Sequence, residues 1–201
     1  MAENYIFDFG NVIAEFYPDK LTAPFVSSES ERKIISEVVF DRLYWDKIDD
    51  GSITDDEVKE GIKSRLDGER GKIGCRVFDN WINSMTPVPD MKELILDIKK
   101  SGKRLYLLSN ISCGFAQNYK NTKWIAEILE VFDGLVFSGP IGIVKPSAEI
   151  FEHLLCKYDL KAEECLFIDD SEKNINGAAA VGINGYLFDG NAKKLREHLG
   201  Y

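Results

Sequence analysis

Four points along this chain carry side chains suited to handling a phosphoryl group, and each follows a short apolar run. Asp8 lies in Ile6-Phe7-Asp8-Phe9-Gly10-Asn11; Ser109-Asn110 follows Leu107-Leu108; Lys145-Pro146 follows Gly142-Ile143-Val144; Asp169-Asp170 follows Phe167-Ile168, with Asn174 close behind. A carboxylate between two phenylalanines is costly unless it is paired or bound to a metal. Two adjacent carboxylates facing a third invite a divalent cation, and magnesium takes one or two carboxylates together with waters and phosphate oxygens. Beside such an ion Asp8 can stay ionised and still meet a phosphate dianion. Lys145 then shares the neutralisation of the transferring group, while Ser109 and nearby backbone N–H groups hold its oxygens. Attack by Asp8 on phosphorus gives an aspartyl-phosphate, which water hydrolyses. Singly, each motif also fits a cap, a turn pair or a solvated loop. Their common order, each after a strand, favours chemistry.

The elements that must position these residues alternate. Short apolar runs at Tyr5–Phe9, Arg104–Ser109, Gly134–Ser138, Cys165–Asp169 and Gly185–Asp189 lack clean period-2 alternation, the look of strands buried on both faces of a parallel sheet. Amphipathic stretches at Val88–Lys100, Ser112–Leu129, Ser147–Tyr158, Glu172–Val181 and Ala192–Leu199 predict helices. Strand and helix in alternation predict a doubly wound α/β sheet, with ligands at the carboxyl ends of its strands. One connection breaks the rhythm: about 94 residues separate Phe9 from Arg104, too many for a loop and one crossover helix. Ser28-Glu29-Ser30-Glu31 reads as a capping box opening a helix to about Leu43, and Thr54-Asp55-Asp56-Glu57 as another opening a helix to about Leu66. A third helix is expected over Gly74–Asn83, before Pro87 and Pro89 punctuate the return. The expected division is a core of residues 1–15 plus 87–201 and a helical cap of residues 16–86.

Composition narrows the function classes. The chain has 201 residues, 44% hydrophobic and 29% charged, with a net charge of -9. That balance suits a globular protein and argues against general binding to nucleic acid or anionic membranes. It leaves room for a small anionic substrate, because a local cation reverses the sign of a site. No targeting segment or membrane span is read from the sequence. Four cysteines with no CxxC pair or zinc spacing point to reduced thiols and a cytoplasmic setting. Composition does not choose between monomer and homodimer.

The four motifs resemble those of the haloacid dehalogenase superfamily over the whole chain. The resemblance implies a Rossmann-like parallel sheet of order 5-4-1-2-3 and a helical cap between the first two motifs. It implies Asp8 as nucleophile and metal ligand, the Gly10 carbonyl and Asp170 as further ligands of Mg2+, and Asp169 and Asn174 acting behind them. Ser109, Asn110 and Lys145 would bind the phosphoryl group. Phe7-Asp8-Phe9-Gly10-Asn11-Val12, Phe167-Ile168-Asp169-Asp170 and the cap segment Asp49-Asp50-Gly51-Ser52-Ile53-Thr54 look like the bacterial branch that includes an α-D-glucose-1-phosphate phosphatase. The phosphatase domain of soluble epoxide hydrolase is a more distant likeness. The implied activity is a phosphatase of a small phosphorylated metabolite such as a sugar phosphate.

One position departs from the pattern. Most phosphatases of the superfamily carry a second Asp two residues after the nucleophile, as general acid and base; here it is Gly10. General acid–base help is worth about 10²–10⁴-fold. Its absence implies a modest rate, an undemanding leaving group such as that of a sugar 1-phosphate, or a proton from water or the cap, where Asp46, Asp49 and Asp50 stand as candidates. Gly10 also leaves open a catalytically weak binding or regulatory protein or a metal-free dehalogenase, and a phosphomutase would share the first half-reaction. Phe16, Tyr17, Tyr44 and Trp45 are cap aromatics suited either to the pocket wall or to the cap's own core.

Overall fold

The computed structural model describes residues 2–201. Five parallel strands form the central sheet: β1 (Asn4–Phe7), β2 (Arg104–Ser109), β3 (Gly134–Phe137), β4 (Cys165–Asp169) and β5 (Asn184–Leu187). Their spatial order is β3-β2-β1-β4-β5, the expected 5-4-1-2-3 read from the other edge. Successive side chains on a strand point to opposite faces. Here both faces are dry: Tyr5, Phe7, Leu105 and Leu107 pack into one apolar cluster, and Ile6, Tyr106, Leu108 and Phe167 into another. Helices cover both clusters, which is why the runs read as continuously apolar.

β1 ends at Phe7, two residues earlier than its apolar run suggests. Asn11 takes a left-handed conformation (φ 55°), and the amides of Ile13 and Ala14 turn back to the Phe9 carbonyl. Asp8 is therefore thrown clear of the strand and anchored by its own amide to Ile168 O at 2.9 Å.

Between β1 and β2 five helices form the insertion: α1 (Pro18–Thr22), α2 (Glu29–Val39), α3 (Arg42–Asp49), α4 (Asp55–Arg65) and α5 (Gly68–Ser84). A two-stranded antiparallel ribbon, Ala14–Glu15 with Thr86–Pro87, closes its neck. The Thr54–Glu57 capping box forms in both directions. The Ser28 box does not: Ser28 Oγ meets Ser30 Oγ, and Glu31 makes a bidentate pair with Arg70. The first cap helix stops at Val39 rather than Leu43 because Asp41 caps a new one, its Oδ1 accepting from Leu43 N at 2.9 Å. That break creates α3, of which the expected helix reaches only Arg42 and Leu43. The stretch Gly74–Asn83 proves to be the interior of the longer α5.

The remaining helices are α6 (Met91–Lys100), α7 (Cys113–Asn118), α8 (Lys123–Leu129), α9 (Ser138–Ile141), α10 (Ala148–Lys157), α11 (Glu172–Ala180) and α12 (Ala192–Leu199). The expected single helix Ser112–Leu129 is broken by a 3₁₀ turn at Tyr119–Asn121 and an extended Thr122, whose hydroxyl donates to Asn83 Oδ1. α6 starts at Met91 because Asp90 is left-handed. Among the described residues no helix is long and apolar enough to cross a membrane.

Candidate active site

The strand register sets the site. Phe7 pairs with Leu107 and with Ile168, so Asp8, the end of β2 and the end of β4 emerge side by side. Asp8, Gly10, Ser109, Asn110, Lys145, Asp170 and Asn174 all line one cavity of about 700 Å³ between the sheet and the insertion. Asp169, fully buried, lies directly behind it. All eight residues singled out from the sequence thus converge.

At its floor lies a buried ionic chain. Lys145 Nζ stands 2.8 Å from Asp8 Oδ1 and 2.7 Å from Asp169 Oδ2. Asn174 Nδ2 donates to both Asp169 oxygens at 3.1 and 3.2 Å. Asn110 holds the lysine's backbone from both sides: its Nδ2 donates to Lys145 O at 3.0 Å, and Lys145 N donates to its Oδ1 at 2.8 Å. Burial opposes the charge on Lys145, but Asp8 and Asp169 outweigh it and hold the ammonium above its ordinary range. Burial pushes Asp8 up to about 7, against the pull of Lys145 and with the repulsion of Asp169 and Asp170. Asp170 is also raised, by burial and by Asp169.

Those shifts describe a shortage of positive charge. Carboxylate oxygens of Asp8, Asp169 and Asp170 lie within 4.8 Å of one another, with one ammonium among them. Asn174 Oδ1 is buried without a hydrogen-bond partner. A divalent cation with its waters fits both observations: it supplies the missing charge, and a bound water can donate to the orphaned oxygen.

Several contributors were not singled out by type or spacing. Asn11 donates to Asp170 Oδ2 at 3.2 Å while its Oδ1 accepts from Phe16 N, tying the loop after Asp8 to the end of β4. Its signal was an Asn beside a Gly in a turn, which αL geometry favours. The far wall of the cavity is aromatic. Phe16, Phe40, Trp45 and Trp81 pack edge-to-face or stacked at 5.0–5.9 Å, and Trp81 stacks on Phe115 of the core. Of the aromatics considered from sequence, Phe16 and Trp45 line this wall, Tyr44 packs in the cap's own core and Tyr17 is exposed.

The cap acids separate clearly. Asp46 is mostly exposed and pairs with Arg42 at 2.7 Å. Asp50 accepts from Ser52 N at 2.8 Å. Asp49 lines the cavity, and among the described residues its carboxylate has no hydrogen-bond or ion-pair partner. Burial pushes it up to about 7; Arg42 opposes that rise, Asp46 and Asp8 add to it, and Lys145 opposes it weakly.

Comparison with known proteins agrees with this geometry. The haloacid dehalogenase-like hydrolase family matches residues 5–182. A sesquiterpene phosphatase, astK, of Aspergillus oryzae is 27% identical over 90% of this chain and 86% of its own length. A D-ribitol-5-phosphate phosphatase of Bacteroides thetaiotaomicron is 24% identical over 92% of this chain and 91% of its own. The crystal structure of the enzyme bt-2542 from the same organism, in complex with magnesium and inorganic phosphate, superposes with a TM-score of 0.68 at 23% identity, covering 92% of this chain and 93% of that one.

Proposed function

This chain belongs to the haloacid dehalogenase-like hydrolases, and from that premise we propose that it is a magnesium-dependent phosphatase of a small phosphorylated metabolite, working through an aspartyl-phosphate on Asp8. The observation that carries this reading is the buried chain Asp8–Lys145–Asp169, with Asp170 completing a three-carboxylate cluster.

Asp8 Oδ is the nucleophile on phosphorus. Lys145, held by Asn110 and by two carboxylates, neutralises the phosphoryl oxygens, and the Ser109 hydroxyl donates to one of them. The carboxamide of Asn110 is engaged with Lys145, so its contribution to the substrate is its backbone N–H. Asp8, the Gly10 carbonyl and Asp170 would hold Mg2+, with Asp169 and Asn174 orienting its waters; when bound, the ion balances the charge gathered on the transferring group. Asp169 thus fixes Lys145 and would also orient the ion's waters.

The aromatic wall supports a substrate with an apolar face, such as a sugar ring or an isoprenoid alcohol; of the relatives named above, one is a sesquiterpene phosphatase and the other acts on the phosphate of an open-chain sugar alcohol. The motif around Asp8 supports the branch containing α-D-glucose-1-phosphate phosphatase. The ribbon at Ala14–Glu15 and Thr86–Pro87 supports residues 16–86 as the cap unit and residues 1–15 plus 87–201 as the core. Four unpaired thiols support a cytoplasmic setting.

The deciding experiment is hydrolysis of para-nitrophenyl phosphate with magnesium, with EDTA, and by Asp8→Asn. Activity is expected in the first condition alone. Turnover that survives both EDTA and Asp8→Asn overturns the proposal.

A further inference from the structure

Resting on that phosphatase reading, we infer that Asp49 of the cap is the general acid and base of the reaction, standing in for the carboxylate that Gly10 lacks. Three observations lead there. First, the vacancy at position 10 is chemical and not conformational. The nearest atom to a Cβ built on Gly10 would be Phe16 Cβ at 4.0 Å, and its φ is not positive, so the backbone would accept a side chain. The proton must come from another group.

Second, of the three cap acids on the cavity only Asp49 has a free carboxylate; Asp46 is paired with Arg42, and Asp50 is bonded to the Ser52 amide. The charged groups that act on Asp49 are Arg42 and Asp46 from α3, and Asp8 and Lys145 from the core. It lines the same cavity as the nucleophile from the cap side, where a leaving group lies if Asp8 attacks in line.

Third, the backbone of Asp49 is fastened to the core. Ser138 Oγ donates to Asp49 O at 2.5 Å and accepts from Ile111 N at 2.8 Å, immediately after Ser109-Asn110. The following Gly51 is left-handed and lies against Gly139 so closely that any Cβ would collide with its carbonyl. A cap acid held this way keeps its distance to the reaction centre.

The steps balance as follows. Asp8 Oδ forms a bond to phosphorus, and the bond from phosphorus to the ester oxygen breaks with its electron pair on that oxygen. The Asp49 carboxylic acid delivers its proton there, releasing the alcohol. The Asp49 carboxylate then takes a proton from water as the water oxygen bonds to phosphorus. The bond to Asp8 breaks, its pair returning to the carboxylate, and phosphate leaves with Asp49 protonated again. Burial that raises the carboxyl toward neutrality suits both halves of that cycle.

The test compares Asp49→Asn and Asp49→Ser with the wild type, all with magnesium, on an alkyl phosphate and on para-nitrophenyl phosphate. An alkoxide needs the proton and nitrophenolate does not. The expected result is a fall in kcat/KM of about 10²–10⁴-fold on the alkyl ester, with kcat/KM on the aryl ester within a few-fold. kcat on the aryl ester should also fall, with a burst of nitrophenolate as the aspartyl-phosphate accumulates. An unchanged alkyl rate, or equal losses of kcat/KM on both esters, overturns the role of Asp49. A wild type inactive on the aryl ester instead removes the phosphatase reading, and this inference with it.

Discussion

Ser138, the residue that follows β3, donates its hydroxyl to the carbonyl of Asp49, at the end of α3, across 89 positions of sequence. The same hydroxyl accepts from Ile111, two residues after Ser109. One side chain therefore couples the cap's innermost turn to the phosphoryl-binding end of β2. The cap turn and the core loop cannot move independently while the hydroxyl bridges them.

Removing the bridge should loosen the cap without touching the nucleophile. Ser138→Ala leaves the buried Ile111 amide and the Asp49 carbonyl without a partner, a loss of about 1–3 kcal/mol in stability. Gly51→Ala acts on the same turn by steric means and by strain at its φ of 74°, and should cost on the order of 2 kcal/mol. Both are measured by denaturant titration, and both should reduce hydrolysis of alkyl esters more than of aryl esters.

Lys145→Ala should be severe for the fold as well as for turnover. It leaves Asp8 and Asp169 facing each other in a buried site with no counter-ion. Breaking a buried pair from one side costs about 3–5 kcal/mol. Magnesium should return part of that stability by supplying positive charge, so the melting temperature of Lys145→Ala should rise more on adding magnesium than that of the wild type. An equal rise would place the ion away from this cluster.

Asp170→Asn should weaken magnesium binding by at least tenfold while leaving the fold intact, because this residue is the most exposed of the three carboxylates and pairs only with Asn11. Calorimetric titration of the metal-free protein with magnesium reads this directly. Asp8→Asn should lower turnover by about 10⁴-fold or more, as loss of a covalent nucleophile does.

Asp49 carries a pH signature in stability. Its folded carboxyl stands at about 7 against an ordinary value near 3.8. Between those values the folded protein holds a proton that the unfolded chain has released, so stability falls as pH rises through that window and levels off above it. Asp49→Asn escapes the penalty. It should match the wild type near pH 4 and exceed it at pH 8 by about 1–3 kcal/mol, the lower part of that range reflecting solvent at the cavity mouth. Denaturation at the two pH values checks the sign.

Gly10→Asp should do little to the wild type on alkyl esters but recover at least tenfold on the Asp49→Asn background, since the loop has room for the side chain. Steady-state rates of the single and double variants decide it.

The primary sequence alone determined the chemistry. Asp8, Ser109 and Asp169-Asp170 could be read because each ends or follows a run whose apolar character comes from burial on both faces of the sheet, and a polar residue there stands out; Lys145 instead follows a half-buried loop, Gly142–Val144, and not the strand its neighbouring residues suggested. The sheet and the presence of a helical insertion were legible for the same reason, since hydrophobic period and connection length are local properties; the order of the strands was implied by the family resemblance alone. The interior of the cap was less legible. The Ser28 box failed because Glu31 found Arg70 instead, and α2 broke at Phe40 because Asp41 offered a second cap. Local propensity does not know of a partner 39 residues away.

What only the tertiary structure decided is which cap acid keeps an unengaged carboxylate in the cavity. Asp46, Asp49 and Asp50 are alike in type and nearly adjacent in sequence. All three line the cavity; they are distinguished by Arg42 and the Ser52 amide, which engage two of them, and by Ser138, which fastens the turn from the carboxyl end of β3. Charge and spacing are written in the chain; the direction in which a carboxylate points, and whether anything satisfies it, follow only from packing.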